Sequence, residues 1–142
     1  NHGTIDLRIE RASEEASVRK IGSIDIVKYR VVTDKIRTDE VIITEERIQH
    51  IKERHPNDFE LYGQYLQDMV EHPQYILEDK FPYMAVILKE YIEDEKRFRL
   101  ILRLSLPSDP AEYKNSVITF LEISERKFEK YLRNKKILYK SE

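Results

Sequence analysis

Cysteine and tryptophan are absent from this sequence, and glycine occurs only 3 times. Without cysteine there are no disulfides, thiolate nucleophiles or Cys-type zinc sites, and a reducing cytoplasm is permitted without being required. So few glycines build no phosphate-cradling loop, and no G-x-S-x-G elbow occurs. No apolar run approaches the roughly 18–20 residues that span a bilayer. The N-terminus shows no basic region followed by an apolar stretch, so neither a membrane partner nor a secretory signal is expected. Charge of one sign is not in excess either: 25 Lys and Arg oppose 27 Asp and Glu, for a net charge of −2.

What is present suits one globular domain. The 142 residues are 40% apolar and 37% charged, enough for a sizeable core under a heavily charged surface. The charge is unevenly spread. Residues 57–79 hold six acids and no Lys or Arg, whereas residues 124–142 hold seven Lys/Arg against three Glu. A polyanion can bind one face of such a molecule despite the near-neutral total.

Local patterns place the elements. Ile5, Leu7 and Ile9 alternate like a short strand, and residues 23–33 (SIDIVKYRVVT) read as a strand from their β-branched and aromatic content. A short extended piece through Val41, Ile42 and Ile43 leads to Thr44, a helix N-cap followed by Glu45 and Glu46 in the first turn. Ile48 and Ile51 give that helix an apolar stripe, and Pro56 ends it near His55. Asp58 caps a second helix with Phe59, Tyr62, Leu66 and Met69 on one side, stopping before Pro73. Strands follow at 74–78, 83–92, 96–106 and 115–123, the middle two joined by a tight polar turn at 93–95. In KRFRLILRLSL, Phe98, Leu100, Leu102 and Leu104 face one way, and Arg97, Arg99, Ile101, Arg103 and Ser105 the other. Ser124 caps a last helix with Phe128 and Leu132 at i, i+4, and Ile137, Leu138 and Tyr139 dock as a final strand or turn. The expected fold is α+β, with N-terminal helices on a four- to five-stranded antiparallel sheet and a C-terminal helix.

Two groups could do chemistry. In RIQHIKERHP, Arg47, His50 and Arg54 stand at i, i+3 and i+7, on one helix face away from Ile48 and Ile51. His55 is about 140° round from His50, so the pair cannot form the i, i+4 two-histidine metal grip, and no metal or other cofactor is expected. A histidine between arginines suits a phosphate. Imidazole exchanges protons near neutrality, and guanidinium carries permanent charge in a planar fork. The plain alternative is a solvated helix face. The second group is the outward row Arg97, Arg99 and Arg103. Ser116 or Thr119 on the next strand could add a hydroxyl, but their parity differs, so one points to the core unless a bulge intervenes.

The segments ITEERIQHIKERHP, EHPQYILED, RLILRLSL and YKNSVITF followed by YLRNKKILYK together resemble the phage- and prophage-associated nuclease domains grouped with barnase, EndoU, colicin-type tRNases and RelE-like toxins. The resemblance spans roughly residues 38–140 and leaves residues 1–33 as an N-terminal extension, part of the same compact unit or the end of an upstream region, ahead of a nuclease domain over 34–142. It implies metal-independent RNA cleavage between the first helix and the sheet. The helix histidine falls on His50 or His55, the strand arginine on Arg103 and the late-strand hydroxyl on Ser116 or Thr119. Arg47, Arg54, Arg99 and Lys136 are then the candidate substrate-binding cations. The implied partners are RNA, tRNA among the candidates, and an immunity or inhibitor protein; the implied location is the cytoplasm of a bacterial host. The alternatives are a non-catalytic phage interaction module that keeps the fold, and an RNA-binding domain without chemistry.

Overall fold

The structure, a computed structural model, describes residues 18–54 and 58–142, with side-chain detail in the second segment from residue 63 onward. The expectations for Ile5, Leu7 and Ile9, for the side chains of Asp58, Phe59 and Tyr62, and for His55 lie outside the described residues. In chain order the elements are β1 (Val18–Ser23), α1 (Ile26–Tyr29), β2 (Glu40–Thr44), α2 (Glu45–Arg54), α3 (Asp58–Glu71), β3 (Tyr75–Glu78), β4 (Met84–Tyr91), β5 (Lys96–Arg103), β6 (Asn115–Ile123), α4 (Glu125–Asn134) and β7 (Ile137–Lys140). No described helix is long and apolar enough to cross a membrane.

The fold is α+β, but the sheet is larger than expected and mixed. Seven strands run in the order β1-β2-β6-β5-β4-β3-β7. Neighbours are antiparallel except β2 and β6, which are parallel through Val41↔Asn115 and Ile42↔Ser116. That pair joins strands separated by two helices and three strands, so no local pattern announces it.

The helix expected after Thr44, α2, begins where predicted. The Thr44 hydroxyl accepts the Arg47 N–H at 3.2 Å, and Glu45 and Glu46 occupy the electropositive first turn. Ile48 and Ile51 are buried, as are Leu66 and Met69 of α3. Residues 23–33 differ from the expected strand. Asp25 Oδ1 accepts the Val27 N–H at 3.0 Å and opens the single turn α1. Tyr29 at its end is fully buried, and its hydroxyl donates to the Val70 carbonyl at 2.8 Å. An aspartate cap and one buried tyrosine outweigh the β-branched content here.

The sheet separates two apolar layers. Ile48, Ile51, Leu66 and Met69 pack with Phe98, Leu100, Leu102, Val117 and Phe120 on one face. On the other, α4 sets Phe128 against Leu77, Val86, Leu88 and Ile123. Ser124 caps α4 through the Lys127 N–H at 3.1 Å.

The Val70 carbonyl belongs to the last turn of α3, where no intrahelical donor reaches it. Tyr29→Phe removes its partner in a buried setting and should cost about 1–2 kcal/mol. Urea denaturation reads this as a lower midpoint at constant slope; an unmoved midpoint would mean another donor takes over.

Candidate active site

Parallel pairing between β2 and β6 stops after two residue pairs, because Thr44 turns the chain into α2. From there α2 lies alongside the rest of β6, with Ile48 and Ile51 directed into the core. A cleft of about 220 Å³ remains between them. Arg47, His50, Ile51 and Arg54 line one wall; Arg99 of β5 and residues 118–121 of β6 line the other. Arg47, His50 and Arg54 are exposed, and none of the three makes an ion pair among the described residues.

A bulge decides which hydroxyls face outward. Ile101 pairs with Thr119 but Leu102 with Val117, leaving Ile118 as the extra residue. Ser116, opposite Arg103, and Thr119, opposite Ile101, therefore stand on the same outward face despite their parity. Thr119 and Ile118 reach the cleft; Ser116 does not line it. The Ser116 hydroxyl donates to the Lys114 carbonyl at 3.2 Å.

The three outward arginines of β5 meet different partners. Arg97 donates to Glu90 at 2.7 Å and lies 3.7 Å from Glu125. Arg103 donates to both Asp109 oxygens at 3.0 and 2.9 Å and sits between the rings of Tyr83 and Tyr113, 4.9 and 4.6 Å from their centroids. Arg99 has no carboxylate among the described residues. Its Nη1 donates to the Tyr131 hydroxyl, its guanidinium lies 5.6 Å from the Tyr131 ring, and its buried Nε has no hydrogen-bond partner.

Of the candidate residues, Arg47, His50, Arg54, Arg99 and Thr119 converge. Arg103 does not: its charge is neutralised by Asp109 in the bend after β5. Ser105, expected on the basic face, is fully buried; it accepts from Arg37 Nη2 at 2.9 Å and donates to the Tyr113 carbonyl at 2.8 Å. Lys136 is also elsewhere. Its carbonyl accepts from Glu78 N–H at 2.9 Å beside β3, in a cavity with Lys80 and Phe81. That edge is four strand positions from β6, roughly 19 Å at ordinary spacing. His55 lies outside the described residues. Tyr131 is the residue sequence reasoning missed; only its place on the basic face of a helix hinted at it. Among the described residues no three His, Asp or Glu side chains stand together as metal ligands.

The cleft thus joins an imidazole, three guanidinium groups and a hydroxyl, a set fitted to a phosphodiester. A family model of nucleases matches residues 16–140, most of the chain. The chain belongs to the phage-Barnase-EndoU-ColicinE5/D-RelE like nuclease2 family. No curated protein and no solved structure matches it. The family assignment bears out the sequence resemblance and extends it from residue 38 back to residue 16, across β1 and α1. In this nuclease family member, α+β architecture and family description agree.

Hydrogen bonds from Arg103, then from the Leu106 N–H, hold the Asp109 carboxyl below the ordinary carboxylate range. The folded group ionises at lower pH than the unfolded one. Its contribution is therefore complete above the unfolded value of roughly 3.9 and is lost as pH falls through the folded value. Asp109→Asn should lower neutral-pH stability by about 1–2 kcal/mol. The gap to wild type should narrow in chemical denaturation below about pH 4; a gap constant with pH would contradict the pairing.

Proposed function

We propose that this nuclease family member is a metal-independent endoribonuclease acting in the cleft between α2 and β6. The observation that carries the reading is the convergence of His50, flanked by Arg47 and Arg54, with Arg99 and Thr119 around one small opening. Every charged side chain lining it is basic, which attracts a phosphodiester and repels a divalent cation.

The reaction follows from the groups present. His50 accepts the proton of a ribose 2′-OH, and that oxygen attacks the adjacent phosphorus. The P–O5′ bond breaks, and the departing 5′-oxygen takes a proton from water. The products are a 2′,3′-cyclic phosphate and a 5′-OH. Arg99 is placed for the charge that grows on the phosphoryl oxygens. Its guanidinium meets no carboxylate among the described residues, and preorganised charge of this kind is usually the largest catalytic term. The Thr119 hydroxyl adds a neutral donor, and Arg47 and Arg54 hold the neighbouring phosphates. Such an enzyme belongs in the cytoplasm of a bacterial host, with RNA, tRNA included, as substrate and an inhibitor protein as the partner that restrains it.

A binding module without cleavage is the second reading. It is favoured by the position of Arg103 and Lys136 outside the cleft, and by His50 being the single imidazole among the described residues that line it.

One experiment decides. Wild type, His50→Ala and Arg99→Ala are incubated with total RNA and with single-stranded DNA in EDTA, and the new 3′ ends are mapped. Cyclic phosphate ends on RNA, intact DNA, and losses of about 10²–10⁴-fold for His50→Ala and about 10²–10³-fold for Arg99→Ala are expected. Cleavage of DNA as readily as RNA, or only after divalent metal is added, would sink the proposal. RNA bound but uncut would favour the module.

A further inference from the structure

A groove larger than the cleft lies on α4. It encloses about 620 Å³ and is lined by Arg126, Lys127, Lys130, Tyr131, Arg133 and Lys135, with Ser124 and Asn134. Arg126, Lys130 and Arg133 stand at i, i+4 and i+7, one stripe of the helix. Neither acid of α4 lines the groove: Glu125 turns to Arg97 at 3.7 Å, and Glu129 stands beside the stripe, next to Arg126 and Arg133. None of the five groove cations makes an ion pair among the described residues. Helix stability does not require this. Only Arg133 lies in the last turn, where the dipole favours a cation, whereas Arg126 and Lys127 occupy the first turn, where it opposes one.

Groove and cleft are linked by one hydrogen bond. Tyr131 lines the groove, and its hydroxyl accepts from Arg99 Nη1, which lines the cleft. We infer that the α4 groove binds the phosphodiester backbone of the RNA strand leading away from the cleft, with Arg126, Lys130 and Arg133 each contacting a phosphate and Tyr131 marking the passage between the two sites. That the strand is RNA rests on the endoribonuclease reading; that the groove takes a polyanionic strand rests on its own charge and shape.

Binding of a labelled single-stranded oligoribonucleotide of mixed sequence is measured by anisotropy across a salt series in EDTA. All proteins carry His50→Ala to prevent cleavage. The comparison is with the triple variant Arg126→Gln, Lys130→Gln and Arg133→Gln, whose altered side chains are exposed; circular dichroism and melting verify its fold. Three lost single-strand phosphate contacts should reduce the slope of log K against log salt by about 2 and weaken binding about tenfold or more at low salt. Arg126→Lys with Arg133→Lys, Lys130 being kept, should retain the wild-type slope. An unchanged slope and affinity in the folded triple variant overturns the inference, as does a protein that binds anionic phospholipid vesicles and no oligoribonucleotide. If wild type fails to cut RNA yet the slope falls, the groove stands and the nuclease reading fails. If RNA is cut and the slope is unmoved, the reverse holds.

Discussion

The chain's turn from strand to helix at Thr44 is the constraint on which the site depends. One hydroxyl accepts one N–H at 3.2 Å, and with that β2 stops pairing with β6 after two residues. Had β2 continued, its backbone would occupy the space beside residues 118–121 that now opens as the cleft. The same turn sets the rotation of α2. With Ile48 and Ile51 buried, the face that carries Arg47, His50 and Arg54, about a quarter-turn round the helix, is left exposed. Core burial, a stability requirement, thus aims the imidazole.

The second determinant is how charge is disposed along β5. Arg97, Arg99 and Arg103 are equivalent in sequence pattern, yet carboxylates take two of them. Arg103 belongs to a polar cluster that ties down the chain between β5 and β6. Arg37 donates to the carbonyls of Asp109, Pro110 and Tyr113, and Asn115 Oδ1 accepts from the Ser105 N–H at 2.7 Å. This cluster fixes where β6 starts and so where its bulge falls. Arg99 alone is met by a neutral hydroxyl, which leaves its charge uncompensated beside the cleft.

Elements set by neighbours in sequence were legible. The caps at Thr44 and Ser124, the stripes of α2 and α4, the alternation of β5 and the hairpin through 93–95 all use contacts within a few residues. Misread features depend on distant partners. Residues 23–33 look like a strand until Tyr29 finds Val70, 41 residues away. The mixed sheet rests on a parallel pair of long separation. Arg103 looked available because its partner is in a loop whose path no pattern specifies. The bulge at Ile118 was conceivable from parity, and only the register with β5 locates it.

Among the described residues the sheet does not close: β1 and β7 form its two rims. Each rim is poorly suited to recruiting a further strand from another molecule. β1 carries Lys20, and its register slips between Lys20 and Gly22; β7 is four residues long and ends in Lys140. Irregularity, shortness and repelling cations are the ordinary protections against edge-to-edge polymerisation. Among the described residues, an open seven-stranded sheet is thereby kept from offering its own backbone as the template for fibres.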